Sequence, residues 1–293
     1  MSSHLRVAAV QMRSTGDRER NMKQAEAYAR RAADAGARLI AFPENVAYLR
    51  PEGTERPPAE SLGGEIATRF SEMARRHRAW VLAGTIAERI PRSRRVFNTS
   101  ILFRDDGSIA AVYRKVHLFD VEIPGRASFR ESRFVEAGEA PVVAATPWGL
   151  FGLSVCYDLR FPELYRALAF AGAHVLFVPS AFTAFTGRAH WSVLLRARAI
   201  ENQAWVVAPA QWGSHDPTRR SYGHTSIVDP WGKVVASRAS GTGVVVATID
   251  PDRAERVRRE LPSLAHAKAR YGDKLARPSR AGANAGSSAR ASR

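Results

Sequence analysis

The chain has 293 residues, 45% of them hydrophobic, enough to bury a large core as one large domain or two smaller ones. Its single cysteine excludes an internal disulfide framework and fits a reducing compartment. The N-terminus does not resemble a secretory signal, and no apolar run approaches the ~20 residues that a membrane-spanning helix needs. We therefore expect a soluble, cytoplasmic protein.

The chain is strongly basic, with a formal net charge of +16, which would suit a nucleic-acid partner. The basic residues are 39 arginines and 5 lysines, scattered along predicted helices rather than interleaved with exposed aromatic residues. We therefore expect no specific nucleic-acid partner and no membrane partner. From Arg277 onward the sequence is small, polar, basic and without periodicity, which predicts a disordered tail over residues 277–293.

Apolar runs of strand length alternate with helical patterns along the chain. The predicted strands are Leu5–Gln11, Arg38–Pro43, Trp80–Glu88, Phe97–Arg104, Ile109–Val116, Val142–Thr146, Phe151–Val155, Ala173–Pro179, Ala204–Ala210, His224–Val228, Val234–Ser237 and Gly243–Asp250. The predicted helices are Asn21–Ala35, Glu60–His77, Phe161–Gly172, Gly187–Asn202 and Pro251–Glu260. The segment 117–140 has little periodicity and reads as a long functional loop. Mixed strands and helices without a linker predict one layered α/β domain.

The only cysteine, Cys156, lies in the stretch FGLSVCYDLRFPELYRALAFAG at residues 151–172. Phe151 to Val155 predict a short buried strand, and the helical period opened by Pro162 predicts a helix. Cys156 therefore lies on a tight turn, where its sulfur projects beside free backbone N–H groups. A nucleophile and half of an oxyanion hole are built together in this way. A lone cysteine is often only a small buried hydrophobe, but the polar Tyr-Asp-Leu-Arg flank favours a functional site.

Two further charged side chains stand at the ends of predicted apolar strands. Glu44 follows the strand RLIAFP, and Lys115 closes the second arm of a hairpin. Because strand ends on one rim of a sheet bring together distant parts of the chain, we expect Glu44 and Lys115 near Cys156. A thiol, a carboxylate base and a fixed cation have the chemistry of nucleophilic catalysis. Taken singly, Glu44 also suits a helix cap or a surface carboxylate, and Lys115 a solvated strand-end charge.

The motifs around these residues are FPEN at Glu44, YRKVHLFD at Lys115 and CYDLRFPE at Cys156. With them the chain resembles the nitrilase superfamily of carbon–nitrogen hydrolases from Leu5 to Tyr271. The stretches DVEIPGR, PSAFTAFTGRAHW, LLRARAIENQ and SYGHTSIVDPWG are similar to the branch of deaminated glutathione amidase and omega-amidase, and AHWSVLLRARAIENQ is closer to the former. The resemblance implies a four-layer α-β-β-α sandwich over residues 4–276, with the tail outside it.

The resemblance also implies a Glu-Lys-Cys triad and its chemistry. Cys156 would attack the carbonyl carbon of a primary amide, and Lys115 with the N–H of Tyr157 would hold the oxyanion. Glu44 would take the thiol proton, pass it to departing ammonia and then activate water against the thioester. No metal or organic cofactor is implied, and no metal-ligand spacing is found.

A second glutamate assists in this family. By position it is Glu131, sixteen residues beyond Lys115 in the long loop. Because Glu122 and Glu136 lie close to it in sequence, the choice among the three glutamates stays open, and each also suits an exposed loop.

Substrate selection is expected from residues near the thiol. Arg160 would pair a substrate carboxylate through two hydrogen bonds; the alternative is a structural ion pair with Glu163 or Asp158. By resemblance, Phe182 and Thr186 match substrate-contacting positions and would line the far side of the pocket.

The sequence therefore predicts a thiol-dependent amidase that converts a small carboxylate-bearing primary amide to acid and ammonia, with deaminated glutathione or a similar 2-oxo acid amide as the substrate. The alternatives are an omega-amidase acting on 2-oxoglutaramate or 2-oxosuccinamate, and an N-carbamoyl amino acid hydrolase. A cysteine protease using His190 or His224 is disfavoured because the lysine-containing set needs no histidine base. Outside enzymes, the alternative is an inactive basic binding protein. The resemblance also implies a homodimer or higher homo-oligomer, formed beside the nucleophile turn.

Overall fold

The computed structural model describes residues 4–51, 57–123, 127–272 and 279–281. The strands are β1 (Leu5–Gln11), β2 (Leu39–Ala41), β3 (Trp80–Leu82), β4 (Ile86–Arg89), β5 (Val96–Phe103), β6 (Ile109–Arg114), β7 (Asp120–Ile123), β8 (Ala127–Arg130), β9 (Val135–Glu136), β10 (Val142–Thr146), β11 (Gly149–Leu153), β12 (Val175–Phe177), β13 (Trp205–Ala208), β14 (Trp212–Ser214), β15 (Arg220–Tyr222), β16 (Thr225–Val228), β17 (Val234–Arg238), β18 (Gly243–Ile249) and β19 (Ser279–Ala281). The helices are α1 (Arg18–Asp34), α2 (Glu65–His77), α3 (Pro162–Phe170), α4 (Ala184–Asn202), α5 (Asp252–Glu260) and α6 (Ser263–Tyr271), with 3-10 turns at Glu131–Arg133 and Cys156–Arg160. None of the described helices is long and apolar enough to cross a membrane.

Two sheets form the centre of the fold. The first has the strand order β18-β1-β2-β3-β5-β4, with β6 and β9 also paired to β5. The second has the order β17-β16-β13-β12-β11-β10-β19. In the first sheet β1, β2 and β3 are parallel, and in the second β11, β12 and β13 are parallel. Their carboxyl ends therefore gather side chains from distant parts of the sequence at the sheet edges.

Strand β1 shows how the layers are built. Leu5, Val7 and Ala9 belong to the core that lies between the sheets and extends under α3 and α4. Ala8 and Val10 belong to a second core beneath α1 and α2. Because successive residues of a strand face opposite sides, a strand that is apolar at every position is buried on both faces. The expected α-β-β-α sandwich is confirmed.

The run Trp80–Glu88, expected to be one strand, is two strands joined through Gly84. Gly84 has a φ of +61°, and a Cβ atom there would lie 1.9 Å from the carbonyl oxygen of Pro43. Only glycine permits this approach, so the backbone turns instead of continuing as a strand. The contact fixes the chain immediately before Glu44.

The segment 117–140, expected to be a loop, contains β7, β8, the first 3-10 turn and β9. Strands β7 and β8 pair with each other, and β9 pairs with β5. Residues 124–126, part of the DVEIPGR motif, lie outside the described residues.

Four further elements were not expected: α6 and the short strands β14, β15 and β19. Strand β19 runs parallel to β10 and lies inside the segment that we expected to be a disordered tail. The rest of residues 277–293 lies outside the described residues, so the disorder of the tail stays a prediction.

Candidate active site

Cys156 lies on the turn between β11 and α3. Its φ is +48°, in the left-handed region that non-glycine residues seldom adopt. Such strain costs about 1–3 kcal/mol and persists where the surroundings impose it, often at functional sites. The Cys156 N–H donates to the oxygen of Pro179 at 3.0 Å, whereas no backbone hydrogen bond found among the described residues uses the N–H of Tyr157. The turn thus presents a thiol and an unused N–H on consecutive residues.

A buried carboxylate, Asp158, holds this turn in place. It accepts hydrogen bonds from the N–H of Val155 at 2.8 Å and the hydroxyl of Tyr113 at 2.7 Å. The backbone N–H of His117 lies 3.0 Å from the same carboxylate, and His117 Nδ1 lies 2.7 Å from it. From the sequence, Asp158 was expected only as a possible partner of Arg160. Its position was a usable signal, because an acidic residue two positions after a nucleophile can accept hydrogen bonds from backbone N–H groups of the same turn.

Glu44 follows β2 and Lys115 follows β6, and both reach Cys156. Lys115 Nζ lies 3.0 Å from Glu44 Oε1, and Glu44, Lys115 and Cys156 line the same cavity. The N–H of Ala181 donates to Glu44 Oε2 at 2.9 Å, and Gln211 Nε2 donates to the Glu44 backbone oxygen at 3.0 Å. Cys156 is 8% exposed, Glu44 3% and Lys115 2%. The structure therefore brings the three predicted residues into one buried cluster.

Glu131 supplies a second carboxylate to Lys115. The Lys115 Nζ atom lies 2.8 Å and 3.1 Å from the two Glu131 oxygens, and the N–H of Phe119 donates to Glu131 Oε2 at 2.7 Å. Asn98 Nδ2 donates to Glu44 Oε1 at 3.0 Å and to Glu131 Oε1 at 3.2 Å, so this amide bridges the two carboxylates. Asn98 was not predicted, because a single polar residue within a predicted strand carries no local signal.

The other two candidate glutamates lie elsewhere. Glu122 is exposed on β7, and Glu136 forms an ion pair with Arg95. Of the three, only Glu131 contacts Lys115 among the described residues.

Burial and mutual attraction set the charges of the cluster. Burial raises the pKa of the Cys156 thiol well above its usual value, and the Glu44 charge adds to this against the opposing effect of Lys115. Burial also opposes ionisation of Glu44, but the Lys115 charge and the hydrogen bonds outweigh it, so the pKa of Glu44 is lowered. Burial would lower the pKa of Lys115, but Glu131 and Glu44 raise it well above its usual value. The resting site therefore holds a thiol, a carboxylate and an ammonium group.

Arg160, at the end of the nucleophile turn, has its Cζ atom 4.9 Å from the ring centroid of Phe182. Its Nη1 atom lies 3.1 Å from His190 Nδ1. Among the described residues, Arg160 forms no ion pair with Asp158 or Glu163. The structural ion pair considered as the alternative is therefore not found, and burial lowers the pKa of Arg160.

One cavity of about 740 Å³ connects these side chains. The residues predicted for the site all line it: Glu44, Lys115, Glu131, Cys156, Tyr157, Arg160, Phe182 and Thr186. Neither His190 nor His224 is among its lining residues, and the His224 ring stacks on Tyr222 at 3.9 Å. Among residues whose placement is described, no cluster of three or more histidine, cysteine or acidic side chains could hold a metal ion.

An α-β-β-α sandwich with a thiol, a carboxylate and an ammonium group in one cavity is the arrangement expected of a carbon–nitrogen hydrolase. The carbon-nitrogen hydrolase family model matches residues 6–259, and the chain belongs to this family. It is thus a hydrolase of the nitrilase superfamily that acts on carbon–nitrogen bonds other than peptide bonds.

The curated and solved relatives agree with this assignment. The chain is 43% identical over 262 residues to the deaminated glutathione amidase of Synechocystis sp., covering 88% of this chain and 96% of that protein. It is similar to the crystal structure of the Caenorhabditis elegans NitFhit protein (TM-score 0.84, 40% identity), covering 90% of this chain and 65% of that one. It is also similar to Saccharomyces cerevisiae Nit3, of branch 10 of the nitrilase superfamily (TM-score 0.80, 32% identity), covering 89% and 96%. These relatives do not support the alternative of an inactive binding protein.

Proposed function

We propose that the chain hydrolyses amides through a thioester on Cys156. Glu44 accepts the thiol proton as the sulfur bonds to the carbonyl carbon, and the resulting oxyanion is stabilised by Lys115 and by the N–H of Tyr157. The carbon–nitrogen bond then breaks, and the proton held by Glu44 passes to the leaving nitrogen. The observation that supports this proposal is that Cys156, Glu44 and Lys115 line one cavity, with Lys115 Nζ 3.0 Å from Glu44 Oε1. The lowered pKa of Glu44, due to the Lys115 charge and hydrogen bonds, agrees with a role as the base.

The same groups complete the cycle in the second half of the reaction. Glu44 takes a proton from water as the water oxygen attacks the thioester. The carbon–sulfur bond then breaks as Glu44 returns this proton to the sulfur, which restores both the thiol and the carboxylate. Glu131 acts through Lys115: its carboxylate keeps the ammonium group charged and fixes its position. Glu131 is therefore a positioning residue in this proposal.

We infer that the substrate is deaminated glutathione, which is the substrate named for curated relatives such as the Synechocystis protein. This substrate carries a secondary amide, so its hydrolysis releases cysteinylglycine rather than the ammonia that the sequence analysis expected. Ammonia is the product only for primary amides such as 2-oxoglutaramate. A cavity of about 740 Å³ is in the upper part of the usual range for ligand sites, which favours the larger substrate.

The proposal is tested by comparing kcat/KM for four amides: deaminated glutathione, 2-oxoglutaramate, 2-oxosuccinamate and an N-carbamoyl amino acid. We expect the highest value for deaminated glutathione. A higher value for 2-oxoglutaramate or 2-oxosuccinamate would instead assign an omega-amidase, and a higher value for the N-carbamoyl compound an N-carbamoyl amino acid hydrolase.

We further propose that the protein is cytoplasmic, because a nucleophilic thiol needs a reducing compartment. We propose a homodimer or higher homo-oligomer on the basis of an exposed apolar patch, defined by Val193 and Ile200 of α4 and by Trp231. These side chains are 66%, 49% and 60% exposed, respectively. Val193 and Ile200, seven residues apart, lie on one face of α4, and Ile200 packs over Gly232, the neighbour of Trp231. Exposed apolar side chains gathered on one surface mark an interaction site.

A further inference from the structure

A buried glutamine, Gln211, holds the backbone of the proposed base. Gln211 is 0% exposed and is not among the described residues that line the cavity. Its Nε2 atom donates to the Glu44 backbone oxygen at 3.0 Å and to Ser14 Oγ at 2.8 Å, and its Oε1 atom accepts from the Ser14 N–H at 2.9 Å. Because a backbone N–H only donates and a backbone carbonyl only accepts, these partners fix which way the amide points. Its donor group therefore always faces Glu44.

The peptide unit between Glu44 and Asn45 is held from its other side as well. The N–H of Asn45 donates to Thr85 Oγ1 at 2.8 Å, and Thr85 is 1% exposed. Asn45 has a φ of +58°, so the chain turns directly after Glu44 instead of continuing as a strand. Two buried side chains thus fix this peptide unit, Gln211 at its oxygen and Thr85 at its nitrogen. We call Gln211 and Thr85 the Glu44 clamp.

Gln211 also belongs to the backbone network that carries the nucleophile. The Gln211 N–H donates to the Ser180 oxygen at 2.9 Å, and the Cys156 N–H donates to the oxygen of the preceding residue, Pro179, at 3.0 Å. The N–H of residue 181 donates to Glu44 Oε2 at 2.9 Å. The segment 179–181 therefore contacts the nucleophile, the base and Gln211 through consecutive residues.

The base and the nucleophile belong to different sheets. Glu44 follows β2 of the first sheet, and Cys156 follows β11 of the second. Contacts between the two sheets therefore set the distance between the carboxylate and the thiol. Proton transfer requires the two groups within hydrogen-bond reach, and a misplacement of about 1 Å can cost roughly 100-fold in rate.

We propose that Gln211 and Thr85 are positioning residues that fix the Glu44 backbone relative to the nucleophile turn. Gln211 does so from the second sheet and Thr85 from the first. This inference rests on the proposed amidase function, in which Glu44 is the base. It adds to that function two residues that act on the reaction only through Glu44.

The kinetic test removes each half of the Glu44 clamp. Gln211→Met keeps the length of the side chain without its hydrogen bonds, and Thr85→Val removes the acceptor for the Asn45 N–H. We expect each to lower kcat for deaminated glutathione at least about tenfold. Thr85→Ser keeps the hydroxyl group and should stay within about twofold of the native kcat. Isothermal titration in a Cys156→Ala background should give affinities within about twofold of each other, because the clamp acts on proton transfer and not on binding.

Gln203→Met is the matched control. Gln203 is 1% exposed, and its Nε2 atom also donates to a backbone oxygen, that of Leu261. It is not among the described residues that line the cavity. This variant loses a buried glutamine of the same kind, so it should lower thermal stability while kcat stays within about twofold of the native value.

A second measurement needs no substrate. Because the Glu44 charge raises the pKa of the Cys156 thiol, a carboxylate held less closely should let that pKa fall. Thiolate absorbance should show this fall in Gln211→Met and Thr85→Val, but not in Thr85→Ser or Gln203→Met.

The two measurements separate failure of the Glu44 clamp from failure of the proposed function. If the native protein hydrolyses none of the four amides, the amidase proposal fails, and the thiol titration alone decides whether the clamp fixes Glu44. An unchanged thiol pKa in Gln211→Met and Thr85→Val would overturn the clamp. So would a loss of kcat no larger than that of Gln203→Met, or an equal loss of affinity, which would show a general distortion of the site.

Discussion

At the scale of single residues, the site depends on two charges that burial alone would not permit. Glu44 stays ionised because Lys115 and several hydrogen-bond donors surround it, and Lys115 stays charged because Glu131 and Glu44 surround it. Cys156 carries its proton at rest because burial and the neighbouring Glu44 carboxylate both disfavour the thiolate. A nucleophile of this kind is activated as it attacks, by proton transfer to the adjacent base.

The substitution Glu44→Gln tests this electrostatic arrangement. It removes the negative charge that raises the pKa of Cys156 and leaves the Lys115 charge that lowers it, so the thiol pKa should fall. Amide hydrolysis should nevertheless drop at least about 100-fold because the general base is lost. The thiol titration is followed by ultraviolet thiolate absorbance, with Cys156→Ser as the blank since the chain has one cysteine. An unchanged or higher thiol pKa would show that Glu44 does not control the thiol.

Asn98 gives a second prediction at this scale. Replacing it by Ala removes the donor that bridges Glu44 and Glu131, so the ionised form of Glu44 is less stabilised and its pKa rises. The acid limb of kcat/KM against pH should shift to higher pH, and kcat should fall about tenfold or more, as loss of a hydrogen bond to a charged group implies.

A matched control lies two residues along the same strand. Ser100 is buried and its hydroxyl has no hydrogen-bond partner among the described residues, so Ser100→Ala should leave the pH profile and kcat unchanged. If Asn98→Ala lowered thermal stability while the pH profile stayed in place, its role would be structural only.

The sequence motifs made the ionisable residues of the site predictable, but not the groups that orient them. Glu44, Lys115 and Cys156 each end an apolar run, which is a local signal. Asn98 lies 54 positions from Glu44, and its function exists only through that long-range contact. Single-sequence patterns carry no information on pairs of this kind.

At the scale of secondary structure elements, the strand β1 and the hairpin β5–β6 were predictable because their hydrophobic patterns and turn residues agree. The division of Trp80–Glu88 into two strands was not predictable, because it is caused by the close approach of Gly84 to the Pro43 carbonyl and not by a local sequence pattern. Helix α4 begins at Ala184, before the predicted Gly187, because Thr183 caps it by accepting a hydrogen bond from the N–H of Thr186.

Gly84→Ala is the prediction for this scale. The added methyl group would overlap the Pro43 carbonyl, and the positive φ is unfavourable for alanine, so we expect a loss of roughly 3 kcal/mol or more of unfolding free energy. The substitution should also lower activity because the shifted backbone precedes Glu44. Gly63→Ala is the matched control, since none of the described residues has an atom within 4 Å of the position that its added methyl group would take. Urea unfolding compares the two variants: at an unchanged m-value, the midpoint of Gly84→Ala should lie below that of Gly63→Ala. Equal midpoints would contradict the proposed close contact of Gly84 with Pro43.

At the scale of the whole molecule, the layer order was predictable from alternating element types, together with the family resemblance. The assembly state was not predictable from the sequence. Single exposed apolar residues are common, and they indicate an interface only when the fold brings them together on one surface. Ile200 packs over Gly232, which brings α4 next to the turn that carries Trp231.

We expect Trp231→Glu or Val193→Glu to convert the native assembly to a smaller species, because a buried unpaired charge is costly at an interface. Analytical ultracentrifugation measures the change. Ile109→Glu, on the hairpin strand β6 and 38% exposed, is the control and should not alter the sedimentation coefficient. A native protein that sediments as a monomer would refute the oligomer proposal.

The central claim, a thioester on Cys156, is tested most directly by mass spectrometry of the intact protein quenched during turnover of deaminated glutathione. We predict an added 2-oxoglutaryl group, which peptide mapping places on Cys156, and no adduct or hydrolysis with Cys156→Ala. Hydrolysis by the Cys156→Ala variant at the native rate, with no adduct on the native protein, would contradict the account.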